Sequence, residues 1–261
     1  MDDVVSEPIE WIKQCVNAHD VVERPFALHR PSGAVPGVLW LPPLAGSPRP
    51  LILLGHGGSG HKRSQRIVDL ARWFAARSGF AAVAIDGPCH GDRVPVPLAP
   101  AEYQARIARE GIEIVLDRMA DDWLATVNAL AGVGLADISN VGYLGMSMGT
   151  RFGLPLAAAM GDRLRCVVFG KSGLRQAPGV HEDLDAPQRV AADARRVTAP
   201  VLFHVQRHDE IFPKDGQLAL FDLLGSPDKK LAGYPGGHAE TGPTAIGRWR
   251  DFVSRHLARS T

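Results

Sequence analysis

Several stretches of this chain are apolar with almost no interruption: Pro50–Leu54, Phe80–Ile85, Val141–Leu144, Cys166–Gly170 and Pro200–Val205. A strand with one wet face alternates apolar and polar residues. An unbroken run needs both faces covered, as at the centre of a parallel sheet with helices on either side. Between the runs lie segments with helical spacing, among them Ile67, Leu70, Ala71, Phe74 and Ala75, and later Val115, Met119, Trp123, Val127 and Leu130. Strand, helix and strand in alternation imply right-handed parallel crossovers. The expectation is an α/β fold, a mostly parallel central sheet flanked by helices. At 261 residues, 1–261 reads as a single large domain.

The remaining segments fill in this plan. Val21–Arg30 and Val35–Leu41, separated by Pro31-Ser32-Gly33, predict a hairpin at one edge of the sheet. Ile9, Ile12 and Val16, with Trp11 beside them, predict a short amphipathic helix within Glu7–Asn17. Gln217–Leu224 reads as a helix, Lys229–Tyr234 as the last strand, and Trp249, Phe252, Val253 and Leu257 mark a terminal helix. Two segments are irregular and are candidates for covering the sheet edge as a modest lid. Residues 94–111 carry Pro95, Pro97 and Pro100 before a helical stretch, and residues 171–199 are polar, with Pro178, Pro187 and the cluster Glu182, Asp183, Asp185.

Composition excludes several function classes. Lys+Arg 29 against Asp+Glu 28 gives a formal charge of +1, with no general attraction to nucleic acid or an anionic membrane. Three scattered cysteines, Cys15, Cys89 and Cys166, suggest neither a disulfide framework nor a zinc site. No secretory signal or membrane-spanning run is visible, so the expected location is cytoplasmic. The edge hairpin and the N-terminal segment are the surfaces open to a dimer contact, although oligomeric state is not readable from sequence.

The chemistry centres on Gly145-Met146-Ser147-Met148-Gly149, which joins an apolar strand to the helix-prone Arg151–Met160. Glycines two residues before and two after the serine remove the Cβ atoms that would clash in a sharp turn presenting its hydroxyl above the sheet. In a parallel sheet reactive groups collect at the carboxyl ends of the strands. Asp209, after Pro200–Val205, and His238, after Lys229–Tyr234, also fall at such ends. Asp209 has rivals in Glu210, Asp215 and Asp222, the last two better suited to a helix start and a solvated face.

In these residues and their order, Ser then Asp then His, residues 21–258 resemble the α/β-hydrolase superfamily. The resemblance implies Ser147 as nucleophile, His238 as general base and then acid, and Asp209 as the group orienting the imidazole. It also implies an oxyanion hole from the backbone N–H groups of Met148 and of the His56-Gly57-Gly58 loop, most naturally Gly58. Asp86-Gly87-Pro88-Cys89-His90-Gly91-Asp92-Arg93 resembles the segment that follows a strand in dienelactone-hydrolase-like esterases. Asp86 and His90 are read as bracing the site, as is His56 beside the oxyanion loop. Cys89 is read as a small packing residue, because the sharp turn presents serine instead.

The function expected is a serine hydrolase, a carboxylesterase cleaving a small-molecule ester through an acyl-enzyme. Thioesterase, lactonase, peptidase or carbon–carbon hydrolase chemistry on the same three residues stays open, as does a non-catalytic ligand-binding protein of the same fold. This chemistry calls for no cofactor. His56, His61, His90 and His238 form no compact metal-binding pattern. Arg93, Arg106, Arg109, Lys171 and Arg175 are candidates to meet an acidic substrate, most of them expected to be solvated.

Overall fold

The computed structural model describes residues 9–13, 15–16, 20–43 and 48–258. Its strands are β1 (Ile9–Trp11), β2 (Cys15–Val16), β3 (Val22–Arg30), β4 (Gly33–Leu41), β5 (Arg49–Gly55), β6 (Ala81–Ile85), β7 (Ala136–Gly145), β8 (Leu164–Gly170), β9 (Val201–Gln206) and β10 (Lys229–Tyr234). They form one sheet in the order β1-β3-β4-β6-β5-β7-β8-β9-β10, with β2 also paired to β3. From β6 to β10 all neighbours are parallel; β1, β2, β3 and β4 are antiparallel.

The helices are α1 (Gln65–Trp73), α2 (Pro100–Glu110), α3 (Ile112–Gly132), α4 (Met148–Met160), α5 (Pro187–Arg195), α6 (Lys214–Leu223) and α7 (Pro243–Leu257). Each unbroken apolar strand is shared between two cores. Leu51 and Leu53 of β5 and Val83 of β6 face the core built with α3 and α4, while Ile52, Leu54 and Ala82 face the one built with α1 and α7. This period-two division explains why the strands carry no polar face. Truncating a fully buried Leu53 to Ala would cost about 2–5 kcal/mol.

Two segments depart from expectation. Within Glu7–Asn17 the described residues are not helical: Ile9–Trp11 and Cys15–Val16 are short strands on the outer edge of β3. Glu7, Pro8, Gln14 and Asn17 lie outside the described residues. An open β3 edge presents unpaired backbone groups, and capping it outweighs a weak helical periodicity. Trp11 is held there by an edge-on contact with Phe26 and by the Arg24 guanidinium, 3.8 Å from its ring. The predicted hairpin is β3–β4, which therefore sits one position in from the edge.

The second departure is in residues 171–199. Residues 187–195 form α5, the crossover from β8 to β9, packed on α4. Residues 171–186 contain only a short 3-10 turn at Glu182–Leu184. They meet α2 of the first irregular segment, where the His181 N–H donates to Gln104 Oε1 at 2.8 Å.

Candidate active site

The turn after β7 holds Ser147 at φ 60° and ψ −119°, a conformation that costs about 1–3 kcal/mol in a non-glycine residue. Buried bonds hold it there. The Ser147 N–H donates to the Gly170 carbonyl at the end of β8, 2.9 Å away. Thr150 Oγ1 accepts the Gly170 N–H at 2.9 Å and lies 2.9 and 2.8 Å from the carbonyls of Gly145 and Gly170, donating its one proton to either. Tyr143 Oη donates to the Gly149 carbonyl at 2.6 Å. A Cβ on Gly145 would fall 2.6 Å from the Gly149 oxygen, and one on Gly149 would fall 2.7 Å from the Gly55 oxygen. No other residue type fits so close an approach of helix to strands.

Ser147, His238 and Asp209 come together from three strand ends. Ser147 Oγ lies 2.8 Å from His238 Nε2. His238 Nδ1 lies 2.9 and 3.0 Å from the two Asp209 oxygens. Asp209 Oδ1 also accepts the N–H groups of Ile211 and Phe212, at 2.9 and 2.8 Å. Burial opposes ionisation of Asp209, but the bonds from His238, Phe212 and Ile211 outweigh it and hold the carboxyl below its ordinary range. Glu210, the sequence rival, is occupied elsewhere, its Oε2 accepting the His238 backbone N–H at 2.8 Å. Asp215 lies in the first turn of α6 and Asp222 in its last.

The loop after β5 lies against the same turn: a Cβ on Gly57 would fall 3.8 Å from the Met146 oxygen, and one on Gly58 3.9 Å from the Met148 sulfur. Neither the Gly58 nor the Met148 N–H makes a backbone hydrogen bond among the described residues, leaving both as free donors. His56 accepts the Gly87 N–H on Nε2 at 2.8 Å and faces the Gly57 carbonyl with Nδ1 at 2.9 Å, so its proton sits on Nδ1. Burial, with His90 nearby, pushes His56 down to about 4. His90 places its ring nitrogens 2.8 Å from the Gly58 carbonyl and 2.7 Å from that of Pro88. Asp86 accepts from the backbone and ammonium of Lys62 and from the Asp92 N–H. His56, Asp86 and His90 thus tie the turns after β5 and β6 together.

The structure also brings in residues without an assigned role in the sequence. Tyr103 of α2 places its hydroxyl against Gly58 and its ring 4.5 Å from that of His90. Phe212 packs against His238 with ring centroids 5.8 Å apart. Arg151, one turn after Ser147, is buried between Phe212 and Asp185, and burial lowers it to about 10. Lys171, named in the sequence with four arginines as a candidate to meet an acidic substrate, is 1% exposed. A lysine following Gly170 at the carboxyl end of an apolar strand was the available signal. Cys89 is half-buried and its thiol is raised by burial and by Glu110, which keeps it protonated at neutral pH.

An open groove of about 800 Å³ runs between α2 and the 176–185 segment, lined by Pro100, Ala101, Gln104, Gln176, Pro178 and His181. Another cavity, lined by Pro50, Trp73 and Phe80, lies at the amino ends of the strands, away from Ser147. No group of three or more His, Cys, Asp or Glu among the described residues is arranged to hold a metal ion.

The sheet order, the helices on both faces and the sharp turn into α4 define a protein of the α/β-hydrolase fold. Residues 35–239 match the dienelactone hydrolase family, and the chain belongs to that family. A cold-adapted esterase from an Arctic intertidal metagenomic library is 31% identical, with 95% of this chain and 99% of that one covered at a TM-score of 0.80. A putative dienelactone hydrolase from Klebsiella pneumoniae (19% identical; 93% and 100% covered; TM-score 0.72) shares the fold. So does an acetyl xylan esterase from Paenibacillus sp. R4 (18% identical; 96% and 88% covered; TM-score 0.67). No curated protein matches the chain. Family and esterase likeness make this chain a carboxylesterase-type hydrolase, as the sequence led us to expect. No helix among the described residues is long and apolar enough to cross a membrane.

Proposed function

We propose that Ser147 is the nucleophile of a carboxylesterase acting on small-molecule esters through an acyl-enzyme. The observation that carries this reading is the unbroken relay from Ser147 Oγ to His238 Nε2 and from His238 Nδ1 to Asp209. Serine hydroxyl is a poor nucleophile at neutral pH. His238 takes its proton as Oγ attacks the ester carbonyl carbon, and Asp209 stabilises the imidazolium without accepting that proton. The imidazolium then protonates the departing alkoxide. Water, activated by the same imidazole, attacks the acyl-serine, and the returning proton frees Ser147.

The tetrahedral oxyanion is received by the N–H groups of Met148 and Gly58. Loss of one such donor costs about 3 kcal/mol of transition-state stabilisation. Residues 94–111 and 171–186 form the lid, and the groove between them receives the substrate. Neither cofactor nor metal enters these steps, and neither nucleic acid nor membrane is a partner. Three free cysteines agree with a reducing, cytoplasmic location.

Labelling with a fluorophosphonate probe and turnover of p-nitrophenyl acetate test this reading. The expected result is one label, on Ser147, with label and turnover both lost in Ser147→Ala. Wild-type turnover in Ser147→Ala would sink it. A panel of esters, thioesters and lactones then separates the chemistries that share these residues.

A further inference from the structure

Lys171 directly follows β8, at φ 51°. The Lys171 N–H donates to the His204 carbonyl of β9 at 3.1 Å. The left-handed backbone sends its side chain into the protein, beneath the loop that follows β10. Lysine rarely buries its ammonium, preferring to extend it to water. Here the whole residue is 1% exposed and no carboxylate lies within ion-pair distance of Nζ among the described residues.

All three ammonium protons point at one short turn. Nζ donates to the carbonyl of His238 at 2.9 Å, to the carbonyl of Glu240 at 2.5 Å and to Thr241 Oγ1 at 2.7 Å. That turn has little else to define it. Gly236, at φ 96°, and Gly237 precede His238, and its other main-chain-directed side-chain ties come from the exposed Glu210 and Glu240 carboxylates, with a longer contact of 3.4 Å from the Arg66 guanidinium to Thr241 Oγ1. Ties to exposed charges are weak, whereas bonds made inside the protein are stronger.

We infer that Lys171 is a positioning residue for His238, its buried ammonium clamping the 238–241 turn so that the imidazole meets Ser147 Oγ. This rests on the proposed role of His238 as the base. The charged and titratable groups that share this surrounding are Arg66, His204, Asp209, Glu210 and Glu240. Burial, then Arg66, lowers Lys171 itself to about 8, against the opposing pull of the three carboxylates. The neutral amine keeps two donors, and Thr241 can donate to its lone pair. Deprotonation therefore removes the charge while keeping much of the clamp.

The test compares wild type with Lys171→Met and Thr241→Val in steady-state ester hydrolysis across pH, with Ser147→Ala and His238→Ala as controls. Displacement of a catalytic group by about 1 Å lowers turnover by about 10²-fold. We expect folded Lys171→Met to lose about 10–100-fold in kcat with KM within about threefold. Thr241→Val removes one of the three Lys171 anchors, together with the longer contact from Arg66, so kcat falls by about 3–10-fold with KM within about threefold. Wild-type kcat, or a loss confined to KM, in folded Lys171→Met would overturn the inference. If that variant does not fold, Thr241→Val decides by its kcat alone. Activity retained in His238→Ala would instead refute the catalytic reading; an inactive His238→Ala beside a fully active Lys171→Met removes only the role of Lys171.

Discussion

Replacing Asp209 with Asn tests the relay most sharply, because the backbone dictates how the amide must sit. Oδ1 accepts two main-chain protons, from Ile211 at 2.9 Å and Phe212 at 2.8 Å. An Asn NH2 at that position would set donor against donor, so the amide oxygen stays there. Its NH2 then replaces Oδ2, which lies 2.9 Å from His238 Nδ1. The NH2 favours an accepting Nδ1, against the longer 3.0 Å contact to the amide oxygen, and the ring proton moves to Nε2, 2.8 Å from Ser147 Oγ. A protonated Nε2 on a neutral ring has no lone pair with which to take the serine proton. The expected loss is about 10⁴-fold in kcat, or about 5 kcal/mol at about 1.4 kcal/mol per decade. The assay is p-nitrophenyl acetate hydrolysis, with circular dichroism to confirm folding. Asp209→Ala leaves either tautomer open, so Asn should be at least as damaging as Ala. A folded Asp209→Asn with less than about tenfold loss would refute this reasoning, since misdirecting the proton cannot be so mild.

Three further outcomes follow from the geometry. Gly149→Ala drives a Cβ to within 2.7 Å of the Gly55 oxygen; overpacking against backbone should cost about 1–3 kcal/mol and lower Tm by about 2–12 °C, and an unchanged melt would contradict it. His56 and His204 are each lowered to about 4, first by burial, so the unfolded chain binds the extra protons between about pH 6.5 and 4. Stability should therefore fall as pH drops through that window, by up to about 3 kcal/mol for each histidine, and His204→Phe should flatten the dependence of Tm on pH. Cys89→Ala should keep turnover within about twofold and leave fluorophosphonate labelling intact, because burial keeps the thiol protonated; a large loss would assign Cys89 a role in catalysis.

How much of this was legible in the sequence depended on where the deciding contacts lay. The β5, β6 and β9 strands were readable because each carries its own evidence: Leu51 and Ile52 face opposite cores, so apolar continuity records burial on both sides. The order of Ser147, Asp209 and His238 was readable because parallel topology sends every strand exit to the same end of the sheet. The N-terminal segment failed for the opposite reason. Ile9 and Ile12 fit a helical period, but the open edge of β3 decided the outcome. Residues 187–195 read as part of a polar excursion because α5 is partly exposed, with only Val190, Asp193 and Ala194 buried. The buried role of Lys171, named only among cations that could meet an acidic substrate, was not legible because its acceptors lie 67 to 70 positions further along the chain.

The residues that were hardest to read share one property: each fixes, by buried polar bonds, a turn that carries Ser147, Asp209 or His238. Thr150 ties the Ser147 turn to Gly170 of β8. Gln217, fully buried on α6, donates to the carbonyls of Gln206 and Phe212 and accepts the Gln206 N–H, fixing both ends of the turn that carries Asp209. Lys171 does the same for the turn that carries His238. A serine, a carboxylate and an imidazole on three separate turns reach hydrogen-bond distance only if the turns cannot drift independently. Buried polar bonds suit that task, because an unmade bond inside the protein costs the full desolvation of its donor or acceptor. The covering segments meet under a weaker constraint, a bond between Gln104 and His181 beside an open groove. In the proposed function, chemistry is therefore held by interior bonds that tolerate little movement, whereas the surface proposed to receive the substrate is built from segments with few such ties.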